Sequence, residues 1–207
     1  MAMPDCILLD AGHVLVDIDF HSFAERMRGY TGLDTEQLRA AINEGELAGR
    51  YERGLLRDDE FHEEICRRVG CDIPWQDFVG AWNSIFFPTP ILPENLILAL
   101  ARERPLWVAS NTNRIHFDFT LRHYPFLRHF TGYVLSYEAG FAKPDPAFFT
   151  YALAKAAAEA GKTLFVDDQV ANVEAAKSLG IDAFQFLNPE QFLTELHERG
   201  LAPDYSS

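Results

Sequence analysis

The chain has 207 residues, of which 48% are hydrophobic and 24% charged, and its formal net charge is −13 at pH 7. These proportions are typical of a globular protein and argue against a disordered chain. The acidic excess argues against nucleic acid as the main partner, because phosphate backbones are bound by basic surfaces. No apolar run approaches the length of a membrane span, and the N-terminus lacks a secretory signal pattern, so we expect a cytoplasmic protein without a membrane partner.

The first predicted element is a strand in residues 5–19, DCILLDAGHVLVDID. A short apolar run bounded by a glycine-containing turn is typical of a central parallel strand, whose two faces are both covered. Ligands of open α/β sheets bind outside the carboxyl ends of the strands, which is where Asp10 stands. A capped turn accounts for this aspartate equally well when it is considered alone.

The next segment, from Phe20 to about Asn83, has a helical pattern. Apolar residues recur at steps of three and four, as at Phe20, Phe23 and Met27, and Gly70 closes a later helix. The proline-rich stretch FFPTPILPEN, residues 86–95, then predicts a loop. We therefore predict a helical insert that follows the first strand.

Strands alternate with helices in the remainder of the chain. We predict strands within PLWVASNTN, GYVLSYEAGFAKPDP, TLFVDDQ and IDAFQFL, with helices in the gaps. This alternation is typical of βαβ units, which build a parallel sheet with right-handed crossovers.

Polar side chains follow the predicted strands at equivalent positions. Six of them are Asp10, Ser110, Asn111, Lys143, Asp167 and Asp168. Taken singly, each has a plainer explanation as a helix cap, a turn residue or a solvated lysine. Together, three carboxylates, an ammonium and a hydroxyl at one sheet edge are what magnesium-assisted phosphoryl transfer needs. The combination therefore indicates that chemistry.

The stretches ILLDAGHVLVD, WVASNTN, GFAKPDP and LFVDD resemble the four motifs of the haloacid dehalogenase-like hydrolase superfamily. The resemblance runs over essentially the whole chain. It implies an α/β fold in which residues 1–19 and 91–207 form a Rossmann-like parallel-sheet core. Residues 20–90 would form an inserted α-helical cap.

The resemblance also implies roles for the strand-end residues. Asp10 would be the nucleophile that becomes an aspartyl-phosphate, and Ser110 and Lys143 would hold the phosphoryl oxygens. The ligands of Mg²⁺, the implied cofactor, would be Asp10, Asp167, Asp168 and the backbone carbonyl of Gly12.

The fourth motif separates two activities within the superfamily. Its 2-haloacid dehalogenases work without a metal and typically carry a Ser-Ser-Asn run where this chain has Asp167 and Asp168. A phosphoryl group brings charge that a divalent cation neutralises. The acidic pair therefore favours a phosphatase over a metal-independent dehalogenase.

The first motif departs from the usual phosphatase pattern. Phosphatases of the superfamily usually carry Asp-x-Asp, and the second Asp acts as general acid and base, but this chain has Gly12 there. Losing such help costs about 10²–10⁴ in rate. Either another residue replaces it or the leaving group needs little help. The candidate replacements are His13, Asp17, Glu46 and Glu52.

The stretches DAGHV, RYERGLLRDDEF and SNTNRIH resemble a branch of the superfamily that includes sugar-phosphate phosphatases and lies near the phosphatase domains of epoxide hydrolases. This resemblance implies a small phosphorylated metabolite, such as a sugar phosphate, as substrate. Ser110, Asn111 and Lys143 would bind the phosphate. Arg50, Glu52 and Arg114 would contact the remainder of the substrate or serve only as surface charges. The alternative is a binding protein of the same fold that has lost turnover.

Overall fold

The structure is a computed structural model that describes residues 3–201 and 203–204. The strands are β1 (Cys6–Leu9), β2 (Val16–Ile18), β3 (Phe86–Pro90), β4 (Leu106–Ser110), β5 (Gly132–Leu135), β6 (Thr163–Asp167) and β7 (Asp182–Gln185). The α-helices are α1 (Phe20–Thr31), α2 (Thr35–Asn43), α3 (Leu47–Glu52), α4 (Asp58–Val69), α5 (Trp75–Trp82), α6 (Glu94–Glu103), α7 (Arg114–His123), α8 (Ser136–Ala139), α9 (Pro146–Ala156), α10 (Val170–Ser178) and α11 (Pro189–Glu198). None of these helices has both the length and the apolar character needed to cross a membrane, within the ranges described.

Five strands form one parallel sheet in the order β5-β4-β1-β6-β7. The central strand is β1, where Leu8 pairs with Trp107 of β4 on one side and with Phe165 of β6 on the other. After β1 the chain adds β4 and β5 on one side of that strand and then β6 and β7 on the other side. The direction in which strands are added therefore reverses at β1. Asp10 follows β1 at this switch point, where ligands of such sheets bind. The predicted α/β fold with a Rossmann-like parallel sheet is confirmed.

Apolar residues cover both faces of the sheet. Ile7 and Leu9 point into one buried cluster, whereas Leu8 points into a second cluster on the opposite face with Phe149 and Phe165. All four residues of β1 are buried, as is usual for a central parallel strand. This burial fixes the position of the strand whose end carries Asp10.

The helices α1–α5 pack around an apolar cluster of their own. Its aromatic centre includes Phe23, Phe61, Phe78 and Trp82, with Phe23 and Trp82 edge to face at a centroid distance of 5.0 Å. One member of this cluster, Ile115, belongs to α7 beside the sheet. The helical insert therefore shares part of its apolar packing with the rest of the chain.

The prediction of a loop across residues 86–95 was wrong, because β3 occupies Phe86–Pro90. Strand β3 pairs antiparallel with β2, with Val16 opposite Pro90 and Ile18 opposite Phe86. Proline is tolerated in a two-stranded ribbon because an outer edge needs no N–H donors. The ribbon pairs residues of the predicted core, in β2, with the last residues of the predicted cap, in β3.

Candidate active site

Residues from three of the four predicted motifs meet at the carboxyl ends of the central strands. Asp10 follows β1, Asp167 ends β6, and Lys143 comes from the loop that follows α8. The Lys143 Nζ lies 2.8 Å from Asp10 Oδ1 and 2.6 Å from Asp167 Oδ2. The fold thus brings together Asp10 and Asp167, which are more than 150 positions apart in the sequence.

Lys143 is a buried cation with every donor in use. Its ammonium also donates a 2.7 Å hydrogen bond to the Ala109 carbonyl, so three acceptors match its three N–H groups. Burial disfavours the charged form, but the carboxylates of Asp10 and Asp167 outweigh burial and raise the pKa of Lys143. A permanent positive charge is therefore fixed beside Asp10.

Asn111 holds the backbone of Lys143 in place. The Lys143 N–H donates to Asn111 Oδ1 at 2.8 Å, and Asn111 Nδ2 donates to the Lys143 carbonyl at 2.9 Å. The sequence assigned Asn111 to phosphate binding, but its side chain is used to position Lys143. Asn111 also contributes to the wall of the adjacent cavity.

Asp167 and Asp168 have different surroundings. The fully buried Asp167 accepts from the Gln169 N–H and Asn172 Nδ2, both at 2.8 Å, through the oxygen that does not contact Lys143. Asp168 is partly buried, and burial followed by the Asp167 charge raises its pKa. Asp167 is thus suited to hold Lys143, and Asp168 has more freedom to bind a ligand.

The three carboxylates at this edge also have the chemistry of a cation site. One oxygen each from Asp10, Asp167 and Asp168 lies within 4.8 Å of the others. Hard divalent cations such as Mg²⁺ prefer oxygen ligands of this kind. The residues present therefore fit the predicted magnesium site.

Asp10 is nearly inaccessible, with 6% of its surface exposed. Its Oδ1 accepts a 2.7 Å hydrogen bond from the Ala11 N–H in addition to the contact with Lys143. Burial is the largest influence and raises the pKa of Asp10 to about 7, with Lys143 opposing the rise and Asp167 adding to it. A second cation beside Asp10 would favour its carboxylate form.

Ser110 and Gly12 stand beside Asp10 with few constraints of their own. The Ser110 hydroxyl makes a long hydrogen bond of 3.4 Å to the Asn111 carbonyl, which leaves it able to turn toward a ligand. Gly12 does not occupy the left-handed region, and an added Cβ would lie 3.4 Å from the Ile18 Cδ1 atom. Position 12 therefore does not need glycine for conformational reasons.

A cavity of about 290 Å³ extends from this edge of the sheet to the helical insert. Gly12, Ser110 and Asn111 line one part of it, and Arg39 of α2 and Glu52 of α3 line another. The remaining wall is mostly apolar and includes Leu15, Ile18, Phe20, Ile42, Trp82 and Phe86. Sequence analysis missed Arg39, which lies at an exposed position of an amphipathic helix and carried no distinguishing signal.

Arg50 and Arg114, predicted to bind the substrate, lie away from this cavity. Arg50 is exposed on α3 and lines neither of the two cavities described here. Arg114 lies over the Tyr137 ring at 5.6 Å and lines a second cavity, of about 630 Å³, with Tyr51. Of the three residues predicted to contact the rest of the substrate, Glu52 is the one that shares a cavity with Ser110.

A family model of haloacid dehalogenase-like hydrolases matches residues 5–180. The chain belongs to this family. The prediction made from the four motifs is therefore confirmed.

Two curated relatives of this haloacid dehalogenase-like hydrolase are named as phosphatases. A D-ribitol-5-phosphate phosphatase of Bacteroides thetaiotaomicron is 26% identical over 196 residues, which cover 92% of this chain and 95% of the relative. A sesquiterpene phosphatase of Aspergillus oryzae is 28% identical over 164 residues, covering 73% and 77% of the two chains. These relatives agree with the prediction of a phosphoric monoester hydrolase.

Solved structures show the same fold. An enzyme of the family from Bacteroides thetaiotaomicron has a TM-score of 0.85 and 26% identity, covering 95% of this chain and 99% of its own. A second structure of that enzyme, a complex with magnesium and inorganic phosphate, has a TM-score of 0.80 and 26% identity over 90% of this chain and 96% of its own. An L-2-haloacid dehalogenase of Xanthobacter autotrophicus has a TM-score of 0.64 at 20% identity, covers 98% of this chain and 86% of its own, and shares the fold.

Proposed function

We propose that the protein is a Mg²⁺-dependent phosphatase that hydrolyses a small phosphorylated metabolite through an aspartyl-phosphate on Asp10. The observation that carries the proposal is the buried Lys143 ammonium held between Asp10 and Asp167 beside the cavity. A fixed cation at this place stabilises negative charge as it develops on a phosphoryl group, without any reorganisation during the reaction. The phosphatase relatives support the same conclusion.

Each residue of the site then has a defined role. The Asp10 carboxylate attacks phosphorus and forms the covalent intermediate, which splits one difficult step into two easier ones. The Ser110 hydroxyl binds one phosphoryl oxygen, and Lys143 binds another by transferring to it the N–H that it now directs at Asp10. Asn111 positions Lys143 through its backbone. Asp167 keeps the Lys143 ammonium directed at Asp10.

The magnesium ligands remain those predicted from the sequence: Asp10, Asp168, Asp167 and the backbone carbonyl of Gly12. Asp167 already accepts three hydrogen bonds, so we assign the larger share of metal binding to Asp10 and Asp168. When bound, Mg²⁺ would neutralise phosphoryl charge and favour the carboxylate form of Asp10. The structure of a family member in complex with magnesium and inorganic phosphate supports magnesium as the cation.

Removal of the metal is expected to abolish turnover. Exhaustive chelation with EDTA should stop phosphate release from an aryl phosphate, and added Mg²⁺ should restore it, because the carboxylate cluster needs a cation before it can accept a phosphate dianion. Phosphate release is followed by a colorimetric assay before and after chelation. Undiminished phosphate release from metal-free protein would contradict the metal dependence and show a phosphatase that works without a divalent cation.

Two substrate classes are supported by different observations. The D-ribitol-5-phosphate phosphatase relative supports a polyol or sugar phosphate, as the sequence suggested. The largely apolar cavity wall and the sesquiterpene phosphatase relative support the phosphate of an apolar alcohol. The values of kcat/KM for a series of polyol phosphates and a series of prenyl phosphates would separate the two classes.

We retain residues 20–90 as a cap over the site, because α2 and α3 supply Arg39 and Glu52 to the cavity wall. The alternative, a binding protein without turnover, predicts tight binding of phosphorylated metabolites and no release of phosphate. Calorimetric titration of the magnesium-loaded protein, together with a phosphate-release assay, distinguishes a binding protein from a phosphatase.

A further inference from the structure

The proposed reaction leaves one chemical task unassigned. The alcohol that departs from phosphorus needs a proton, and Gly12 has no side chain to supply it. The donor must reach the cavity next to Ser110 and Gly12, since the departing group occupies that space. The four candidates from the sequence can therefore be compared by their positions.

Three of the four candidates lie outside the cavity. His13 and Asp17 contact each other, with 2.9 Å between His13 Nδ1 and Asp17 Oδ1, and about half of each side chain is exposed. The Glu46 side chain is 77% exposed and forms an ion pair with Arg53 at 3.0 Å. Neither the pair nor Glu46 lines the wall that contains Ser110.

Glu52 is the remaining candidate, and its surroundings suit proton transfer. It is the last residue of α3, it is partly buried, and it lines the same cavity as Gly12 and Ser110. Within residues 3–201 and 203–204, its carboxyl group forms no hydrogen bond or ion pair. A desolvated acid without a partner faces the space where the leaving group would lie.

We propose that Glu52 is the general acid and base of the reaction, a role that rests on the proposed phosphatase function. In the first step an Asp10 oxygen bonds to phosphorus while the bond from phosphorus to the leaving oxygen breaks. The electron pair of that bond stays on the leaving oxygen, which takes the proton of the Glu52 carboxylic acid. In the second step water bonds to phosphorus, the bond to Asp10 breaks, and the Glu52 carboxylate takes the proton of water. Inorganic phosphate leaves, and both side chains return to their starting forms.

The charges around Glu52 agree with this double role. Burial raises the pKa of Glu52 to about 6, and the neighbouring Arg53 opposes the rise. Arg39 lines the same cavity, and His116 does so from α7 with its pKa lowered to about 4 by burial, which leaves it uncharged near neutral pH. An acid with a pKa near the working pH gives up and regains a proton readily.

Replacement of Glu52 by glutamine tests the proposal with a series of phosphate esters whose leaving groups differ in acidity. Glu52→Gln should lower kcat/KM for alkyl phosphates by about 10²–10⁴, the usual range for general acid catalysis. Nitrophenyl phosphates release nitrophenolate, which departs from phosphorus without taking up a proton. For these esters the loss in kcat/KM should be less than about 3-fold, because general acid catalysis is not needed. The unmodified protein should show a weak dependence on leaving-group acidity, and the variant a steep one.

Two further variants sharpen the test. Glu46→Gln, the same substitution at an exposed position of the insert, should keep the weak dependence. Gly12→Asp in the Glu52→Gln background should restore part of the alkyl phosphate activity, because position 12 accepts a Cβ atom and would again carry a carboxyl group. The melting temperature of each variant confirms that it is folded.

The pH profile provides an independent readout. For alkyl phosphates, kcat/KM of the unmodified protein should fall as pH rises through about 6, because Glu52 loses the proton it must donate. That descending limb should be absent in Glu52→Gln and weak for nitrophenyl phosphates. An equal loss for all esters, or a steep dependence in the unmodified protein, would overturn the role of Glu52 and leave the phosphatase function standing. If no ester is hydrolysed, both the role of Glu52 and the proposed phosphatase function are contradicted.

Discussion

Replacement of Asp10 by asparagine is expected to abolish turnover, with kcat reduced by about 10⁴-fold or more, as is usual when a covalent nucleophile is removed. The amide keeps the shape of the carboxylate but is a poor nucleophile. The fold should persist, because β1 pairs with β4 and β6 on its two sides and Lys143 keeps Asp167 as its charged partner. Steady-state phosphate release and thermal unfolding of the variant are the measurements.

Asp5→Asn is the matched control for this substitution. Asp5 is exposed and precedes the same strand at the opposite end, far from the cavity wall. It should retain the activity of the unmodified protein. Turnover by Asp10→Asn at more than about a tenth of the normal rate would mean that water attacks phosphorus directly and that no aspartyl-phosphate forms.

Replacement of Lys143 by methionine is expected to affect both activity and stability. The loss of one fixed charge should lower kcat/KM by about 100-fold or more. Because the ammonium lies between two buried carboxylates, its removal leaves Asp10 and Asp167 without their partner. Breaking a buried ion pair in this way costs about 3–5 kcal/mol of unfolding free energy. Urea unfolding and steady-state kinetics measure the two effects.

A double variant separates these two effects. Adding Asp167→Asn to Lys143→Met removes one unpaired charge, so it should recover part of the lost stability without recovering activity. Lys177→Met is the matched control, since Lys177 forms an exposed ion pair with Glu174 at 3.0 Å and should contribute less than about 1 kcal/mol. Full activity in a stable Lys143→Met protein would contradict the role given to the ammonium.

The convergence of Asp10, Lys143 and Asp167 could be predicted from the sequence because it follows from the fold class. Short apolar runs identify parallel strands, parallel strands align their carboxyl ends, and the residues that follow them must meet. The proline-rich sequence of β3 gave no such signal, since the ribbon with β2 depends on pairing between distant segments. Prediction of β3 would have required knowing that residues 16–18 lie beside it.

The contacts made by the insert were the least predictable part of the site. Arg50 and Glu52 are two positions apart on α3, so they project about 200° apart around the helix axis. One of them lines the cavity and the other is exposed, but the sequence RYER does not say which residue faces inward. Only the packing of α3 against its neighbours decides this, and the same is true of Arg39 on α2.

The packing of Ile115 within the apolar cluster of α1–α5 affects how the molecule unfolds. The Trp82 ring also stacks on His116 at a centroid distance of 4.8 Å, and His116 Nε2 lies 2.9 Å from the Trp82 carbonyl oxygen. Separation of the insert from α7 would expose these surfaces to water, so neither part can melt without weakening the other. We expect a single calorimetric transition whose van't Hoff and calorimetric enthalpies agree. Ile115→Ala weakens this connection but leaves the Trp82–His116 contacts in place, so it should lower the van't Hoff enthalpy below the calorimetric enthalpy. Equal enthalpies in this variant would contradict a role of Ile115 in coupling the two parts.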